Sequence, residues 1–317
     1  MAGFFSALSA SAVLVLLMSV GYFMGHVGWM GPQEKKFVSK YVMNIAVPLN
    51  CIVGILNNLE RSELAKAGLM LISAYLSIGV TMLLAVGLAN LLKLPRERWG
   101  VFVVMTGVSN TLFIGIPVCT QLFGEACMPF LMVYWLGNTS YLQSVCVMLV
   151  KHAGSKDVGK LSLPAFLKDM FTKPPIIGVF VAVGLLLLDL QLPGPIMKFA
   201  TYISNSVTPL ALIYCGFIIF ELGLKNVRLM RGLPTMMVVR LILAPLICLG
   251  FCHLFGTTGL ARNVFVIEAA LPVVTQVTVM AGEYGADEKY AAAGACLSTL
   301  GSFITIPLFM VLLQNLI

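Results

Sequence analysis

Two clusters of polar residues interrupt otherwise apolar stretches of this chain, and they are where it could do chemistry. Ser109–Pro117 reads SNTLFIGIP, bringing together Asn110, Thr111, Gly115 and Pro117. Glu268–Gln276 reads EAALPVVTQ, in which Glu268 is followed by Pro272, Thr275 and Gln276. Proline lacks a backbone donor and clashes with the preceding helical turn, so each cluster predicts a broken helix. The freed carbonyls and amides cannot face lipid and need protein, water or a ligand. Breaks at matching positions in two halves of a chain point to a binding site between them. Helix N-termini there favour an anionic group. Two proline kinks with no ligand are the plain alternative, against which stand the pairing of the breaks and the amide and hydroxyl side chains beside each.

Two ionisable residues lie further inside the apolar runs than the charges near their ends. Glu268 is the only carboxylate well inside one, about a turn before Pro272. A charge at the bilayer centre costs roughly 2.5–3.5 kcal/mol, so a carboxyl alternating between neutral and charged would suit proton or cation coupling. A hydrogen bond to a neighbouring helix or exposure in a vestibule is the bland reading. Arg240, in VVRLILAP, reads as snorkelling to the nearby interface, with a counter-charge for an anion or a partner for Glu268 as alternatives. His26, His152 and His253 form no metal set. The eight cysteines lie in or beside apolar segments without paired spacing and read as small packing hydrophobes. No phosphate loop or catalytic triad is present, which argues against an enzyme, an ATP-driven pump or a cofactor.

The elements that must position these residues follow from composition. The 317 residues are 59% hydrophobic and 10% charged, with mean hydropathy +0.98. Soluble domains carry about 25% charged residues. Ten apolar segments, each near the roughly 20 residues of a membrane span, are expected at Phe4–Val27, Phe37–Asn57, Gly68–Leu92, Gly100–Phe123, Cys127–Val150, Pro175–Leu190, Pro195–Leu222, Thr235–Phe255, Asn263–Gly282 and Tyr290–Leu316. They are continuously apolar, which favours helices over a barrel.

The net charge of +7 does not indicate nucleic acid, because the basic residues sit in short loops. Fifteen Lys and Arg follow the odd-numbered segments and four occupy the other face. The positive-inside rule then puts both termini outside and the central loop in the cytoplasm. That loop, 151–174, divides the chain into repeats 1–150 and 175–317. Tyr41, Pro48 and Leu49 match Tyr202, Pro209 and Leu210 at an offset of 161, and Val101-Phe102 matches Val264-Phe265 at 163. A five-span unit repeated in series is inverted the second time, as in many secondary transporters. A channel, or a membrane-embedded sensor or enzyme, is the alternative class.

The chain resembles bacterial members of the auxin efflux carrier family, which includes malonate and malate permeases. The likeness covers essentially the whole chain. It is carried by VPLN (Val47–Asn50), NTLFIGIP (Asn110–Pro117), TPLALIYCG (Thr208–Gly216) and the stretch from Leu271 to Leu308. The resemblance implies an all-α membrane protein of ten helices in two inverted five-helix repeats, with crossed broken helices four and nine. Spans one, two, six and seven form a scaffold, and the rest a mobile core. It implies carriage of a small organic anion by alternating access, in a bacterial plasma membrane. The family's crossing asparagine and prolines map onto Asn110, Pro117 and Pro272. Asn138, in WLGNTS, becomes a substrate contact because span five then lies beside the crossing. Proton or sodium coupling and a homodimer stay open.

Overall fold

A backbone surrounded by lipid must pair its own polar groups, and the helix does so within one segment. The computed structural model describes residues 2–58, 61–154, 171–223 and 229–314, and these form helices with no strand among them. In order they are α1 (Ala2–His26), α2 (Pro32–Tyr41), α3 (Val47–Asn58), α4 (Arg61–Leu91), α5 (Arg96–Gly107), α6 (Ile116–Phe123), α7 (Met128–Tyr141), α8 (Val147–Ala153), α9 (Pro174–Leu188), α10 (Gly194–Ser204), α11 (Val207–Leu222), α12 (Leu233–Val238), α13 (Ala244–Leu254), α14 (Gly259–Ala270), α15 (Gln276–Tyr284) and α16 (Glu288–Gln314). Each expected apolar segment coincides with helix, but the fourth and ninth are divided. Among the described residues five helical runs are individually long and apolar enough to cross a membrane: Pro32–Asn57, Ala67–Leu91, Gly194–Glu221, Leu233–Leu254 and Glu288–Leu313. Most of the expected linker 151–174, with Lys156, Lys160 and Lys168, lies outside the described residues, as do Lys225 and Arg228.

Among the described residues four wide π turns lead into helices, at Val42–Ala46, Thr111–Gly115, Leu142–Cys146 and Val239–Leu243, and all but the second also follow one directly. Three of them precede a proline by two residues: Pro48, Pro117 and Pro245. A helical proline leaves the carbonyl four residues back without its partner, and a widened turn makes room for the ring. The carbonyl freed by Pro117 is that of Phe113, and the Cys215 thiol donates to it at 3.8 Å. Pro117 is therefore absorbed by a π turn. The chain breaks earlier, at 108–110, where the sequence offers no proline.

Glycines set the closest helix contacts. Gly21 of α1 lies against the Ile213 carbonyl of α11, and Gly216 of α11 lies against the Met18 carbonyl of α1. In α9, a Cβ at Gly178 would lie 2.6 Å from the Pro48 carbonyl oxygen of α3. Small residues let backbones approach in this way within membranes. Asn50 of α3 donates to Ser204 of α10 at 2.6 Å in the buried interior. One core gathers around α3, α6, α7 and α11, and a second around α4, α5, α13 and α14. All eight cysteines are buried and free. Large apolar side chains also cover the outside, with Leu83 71% and Leu91 76% exposed; a surface of this kind suits lipid. Gly216→Leu should separate α1 from α11 and cost about 1–3 kcal/mol through overpacking. The expected result is a lower thermal midpoint in detergent, and an unchanged midpoint contradicts the contact.

Candidate functional site

Two helices stop inside the protein. The helix α5 ends at Gly107, and helical structure resumes with the π turn at Thr111; α14 ends at Ala270, and α15 begins at Gln276. The two gaps meet, and Ser109 and Val273 form an isolated antiparallel β-bridge. Main-chain groups in such a place must each be paired. The Asn110 amide donates to the Pro272 carbonyl at 2.9 Å. The Ser109 amide donates to Asn138 Oδ1 at 3.0 Å, and Asn138 Nδ2 donates to the Ser109 carbonyl at 2.9 Å. The Val273 amide donates to Ser298 Oγ at 3.1 Å. Asn138 thus acts as a strand edge for the first break, and Ser298 supports the second. Asn138 and Ser298 lie 160 residues apart, close to the offset of the weak sequence repeat.

A small polar pocket of about 50 Å³ opens between the breaks. Asn110, Thr111, Asn138, Thr275 and Gln276 line it, so five of the residues expected from sequence come together. Pro272 lies at the second break and Pro117 inside the resumed helix, and neither lines the pocket. Asn138 has already engaged both ends of its amide, with Nδ2 also 3.4 Å from Thr111 Oγ1. By contrast, Nδ2 of Asn110 and Oγ of Ser109 are buried and have no hydrogen-bond partner in the protein. A buried donor left unpaired costs roughly 1–3 kcal/mol.

Helix direction adds to this. The first main-chain bond after the break is Gly115 N–H to the Asn110 carbonyl, at 3.0 Å. The amides of residues 111–114 precede it and have no acceptor one turn back. Thr111, Leu112 and Phe113 line the pocket from this helix start, and Thr275 and Gln276 line it from the start of α15. Two positive helix ends therefore face one cavity, an arrangement suited to an anion. Trp135, Thr139, Gln143 and Lys173 complete much of the wall. Spacing along the chain does not single out Trp135, Gln143 or Lys173, because only folding brings them to the breaks. Lys173, from the N-terminal end of α9, is the one acidic or basic side chain among the described residues of the lining.

Glu268 is fully buried but does not line the pocket. Its carboxyl rests on Gly115, where a Cβ would lie 2.5 Å from Oε1, and it accepts from the Cys119 thiol at 3.3 Å. Its second oxygen has no partner. The expected snorkelling of Arg240 is not what the structure shows, since the residue is 1% exposed. Its guanidinium donates to the Thr106 carbonyl at 3.2 Å and, closely, to the Ala269 carbonyl. Two orphan carbonyls at helix ends hold it inside the protein.

A larger cavity of about 530 Å³ shares Met43, Phe113, Thr275 and Gln276 with the pocket. It extends to the Lys35–Glu221 ion pair, 2.6 Å long, and to Glu288. Phe113 stacks on Tyr214 at 4.7 Å along this route. On another side, Trp135 separates the pocket from an apolar cavity of about 270 Å³ between α4, α7 and α9. Asn138→Leu should leave the Ser109 amide and carbonyl unpaired, at roughly 1–3 kcal/mol each. A marked loss of thermal stability is expected, and a wild-type midpoint rules out this pinning role.

Comparisons with known proteins point to membrane transport. Over 309 residues the chain is 26% identical to an uncharacterized transporter of Methanocaldococcus jannaschii, covering 96% of this chain and 97% of that one. An uncharacterized transporter of Methanothermobacter thermautotrophicus is 25% identical, over 95% of this chain and 96% of its own. A Rhizobium meliloti protein whose name proposes malonate transport is 23% identical over 65% of this chain and 64% of its own. The sequence profile described as membrane transport protein matches residues 6–310. The chain therefore belongs to the membrane transport protein family, that of the auxin efflux carriers.

Proposed function

We propose that this membrane transporter carries a small organic anion by alternating access, with the carboxylate held between the two helix breaks. The observation that carries the reading is the pocket itself: two helix N-termini, two buried unpaired donors and one lysine around a single cavity. In a water-poor site such donors strengthen the hold on negative charge. Asn110 Nδ2 and Ser109 Oγ supply hydrogen bonds, Thr111, Thr275 and Gln276 supply further polar contacts, and Lys173 supplies the counter-charge. Pro272 keeps its gap open by stopping α14, and Pro117 widens the turn that starts the facing helix. Asn138 shapes the site by holding the unwound strand.

In this reading ten spans form two inverted repeats, 1–150 and 175–317, joined by a cytoplasmic loop. The close packing of α1 on α11 and of α9 on α3 supports a scaffold of spans one, two, six and seven, since those two contacts are equivalents under the repeat. The remaining helices carry the breaks and move as the core. The charge count puts Lys35 and Lys173 on the cytoplasmic side, so the larger cavity is the inner vestibule. Glu268, against Gly115 at the start of the resumed helix, is the candidate for proton coupling.

Counterflow in proteoliposomes tests the carrier class. Radiolabelled malonate, malate and indole-3-acetate form the first panel. Unlabelled acid on the far side should accelerate entry of at least one label, and no acceleration for any of them counts against the proposal. For the acid carried, Asn110→Ala should raise KM roughly 10-fold or more, the value of one hydrogen bond to a charged group. Lys173→Gln should raise it as well, Lys173→Arg much less, and Lys173→Glu should abolish uptake. Wild-type KM in all of these variants removes the pocket from the pathway. Glu268→Gln should abolish acceleration by an imposed pH gradient while leaving counterflow in place. If the gradient still drives uptake in that variant, coupling lies elsewhere.

A further inference from the structure

Arg240 has no place in the anion pocket, yet it is among the most deeply buried large side chains of the protein. It sits in the π turn Val239–Leu243, with Tyr134 beside its guanidinium. An arginine at this depth is costly unless its charge meets concentrated negative potential. No carboxylate among the described residues pairs with it, and Glu268 accepts from Cys119 on another face of α14. The partners are instead the Thr106 carbonyl, one residue before the end of α5, and the Ala269 carbonyl, one residue before the end of α14. Both are orphan acceptors of a terminal helical turn, where the helix dipole places partial negative charge.

We infer that Arg240 is a positioning residue that clamps the C-terminal ends of α5 and α14 together and cancels their negative poles. Two consequences follow. The breaks that begin at Val108 and at Leu271 start from ends held by one rigid fork, so the Ser109–Val273 bridge and the pocket above it are set from below. The negative poles at the crossing are also neutralised, leaving the positive N-termini of the resumed helices to dominate the pocket. This second consequence rests on the anion reading given above; the clamp itself does not. Lysine cannot replace the fork fully, since its ammonium is a single point charge while guanidinium offers donors in fixed directions to two acceptors.

Hydrogen–deuterium exchange of the full-length protein in lipid nanodiscs, without any ligand, tests the clamp. The amides of Ser109, Asn110 and Val273 are the reporters, from segments far apart in sequence that follow the two helix ends the clamp holds. Arg240→Met should accelerate exchange at all three about 10-fold or more, the loss expected for one charged hydrogen bond. Arg240→Lys should accelerate them too, by no more than Met does. Exchange in α1 and α11 should stay at wild-type rates. Wild-type exchange at the three amides, acceleration confined to residues 233–254, or equal acceleration in α1 and α11 would each overturn the inference. Should Arg240→Met fail to fold, Arg240→Lys decides alone by the same criteria. Because no ligand enters the measurement, its outcome is independent of counterflow with Asn110→Ala.

Discussion

Main-chain amides and carbonyls that leave a helix inside a membrane protein must find partners there, and most features around the site answer that demand. Residues 108–110 and 271–275 have left their helices. Each gap contributes one strand-like residue to the Ser109–Val273 bridge, and each is supported by one polar side chain from a neighbouring helix, Asn138 or Ser298. The carbonyls at the ends just before the gaps are met by Arg240. Among the buried side-chain groups left without a partner, Asn110 Nδ2 and Ser109 Oγ belong to residues that line the pocket. The pocket lies where these donors meet the free start of the resumed helix.

This ordering separates the polar residues by role. Asn138 and Asn110 are both amides inside apolar segments, but one is consumed by the backbone and the other is left with a free donor. Glu268 and Arg240 are both buried and ionisable, and they attend to different faces of α14: the carboxyl to Gly115 and Cys119, the guanidinium to the Ala269 carbonyl. Gly115 permits the first contact because a Cβ would occupy the space of the carboxyl. The prolines divide similarly. Pro272 stops a helix, whereas Pro48, Pro117 and Pro245 each follow a π turn that accommodates them. The difference lies in what receives the freed carbonyl, such as the Cys215 thiol for Phe113.

The surroundings of the pocket differ in character from side to side. Toward Lys35, Glu221 and Glu288 lies the larger cavity, in whose described lining acidic groups outnumber basic ones. Past Trp135 lies an almost wholly apolar cavity. A bound anion would sit where these meet, with its charge toward the helix ends. In the proposed mechanism, alternating exposure requires the contacts between the break-bearing helices and their neighbours to slide. Phe113 stacked on Tyr214 is one such contact, a flat aromatic pair without directional hydrogen bonds.

The sequence by itself determined that this is a helical membrane protein, that the apolar segments lie where helices are found, and that the fourth and ninth would be interrupted. Those conclusions depend on hydropathy and on residues unfit for continuous helix, which are local properties. Clustering of Asn110, Thr111, Thr275 and Gln276 was legible for the same reason, as polar residues in apolar runs are few. Tertiary structure decided the rest. It placed the first break ahead of Pro117, because a π turn could absorb that proline while Asn138 offered the backbone at Ser109 a partner. It buried Arg240 on two carbonyls from separate helices, and it brought Lys173 to the pocket from the far side of the central loop. These outcomes depend on which unpaired groups meet across helices, and a linear chain of residues does not contain that information.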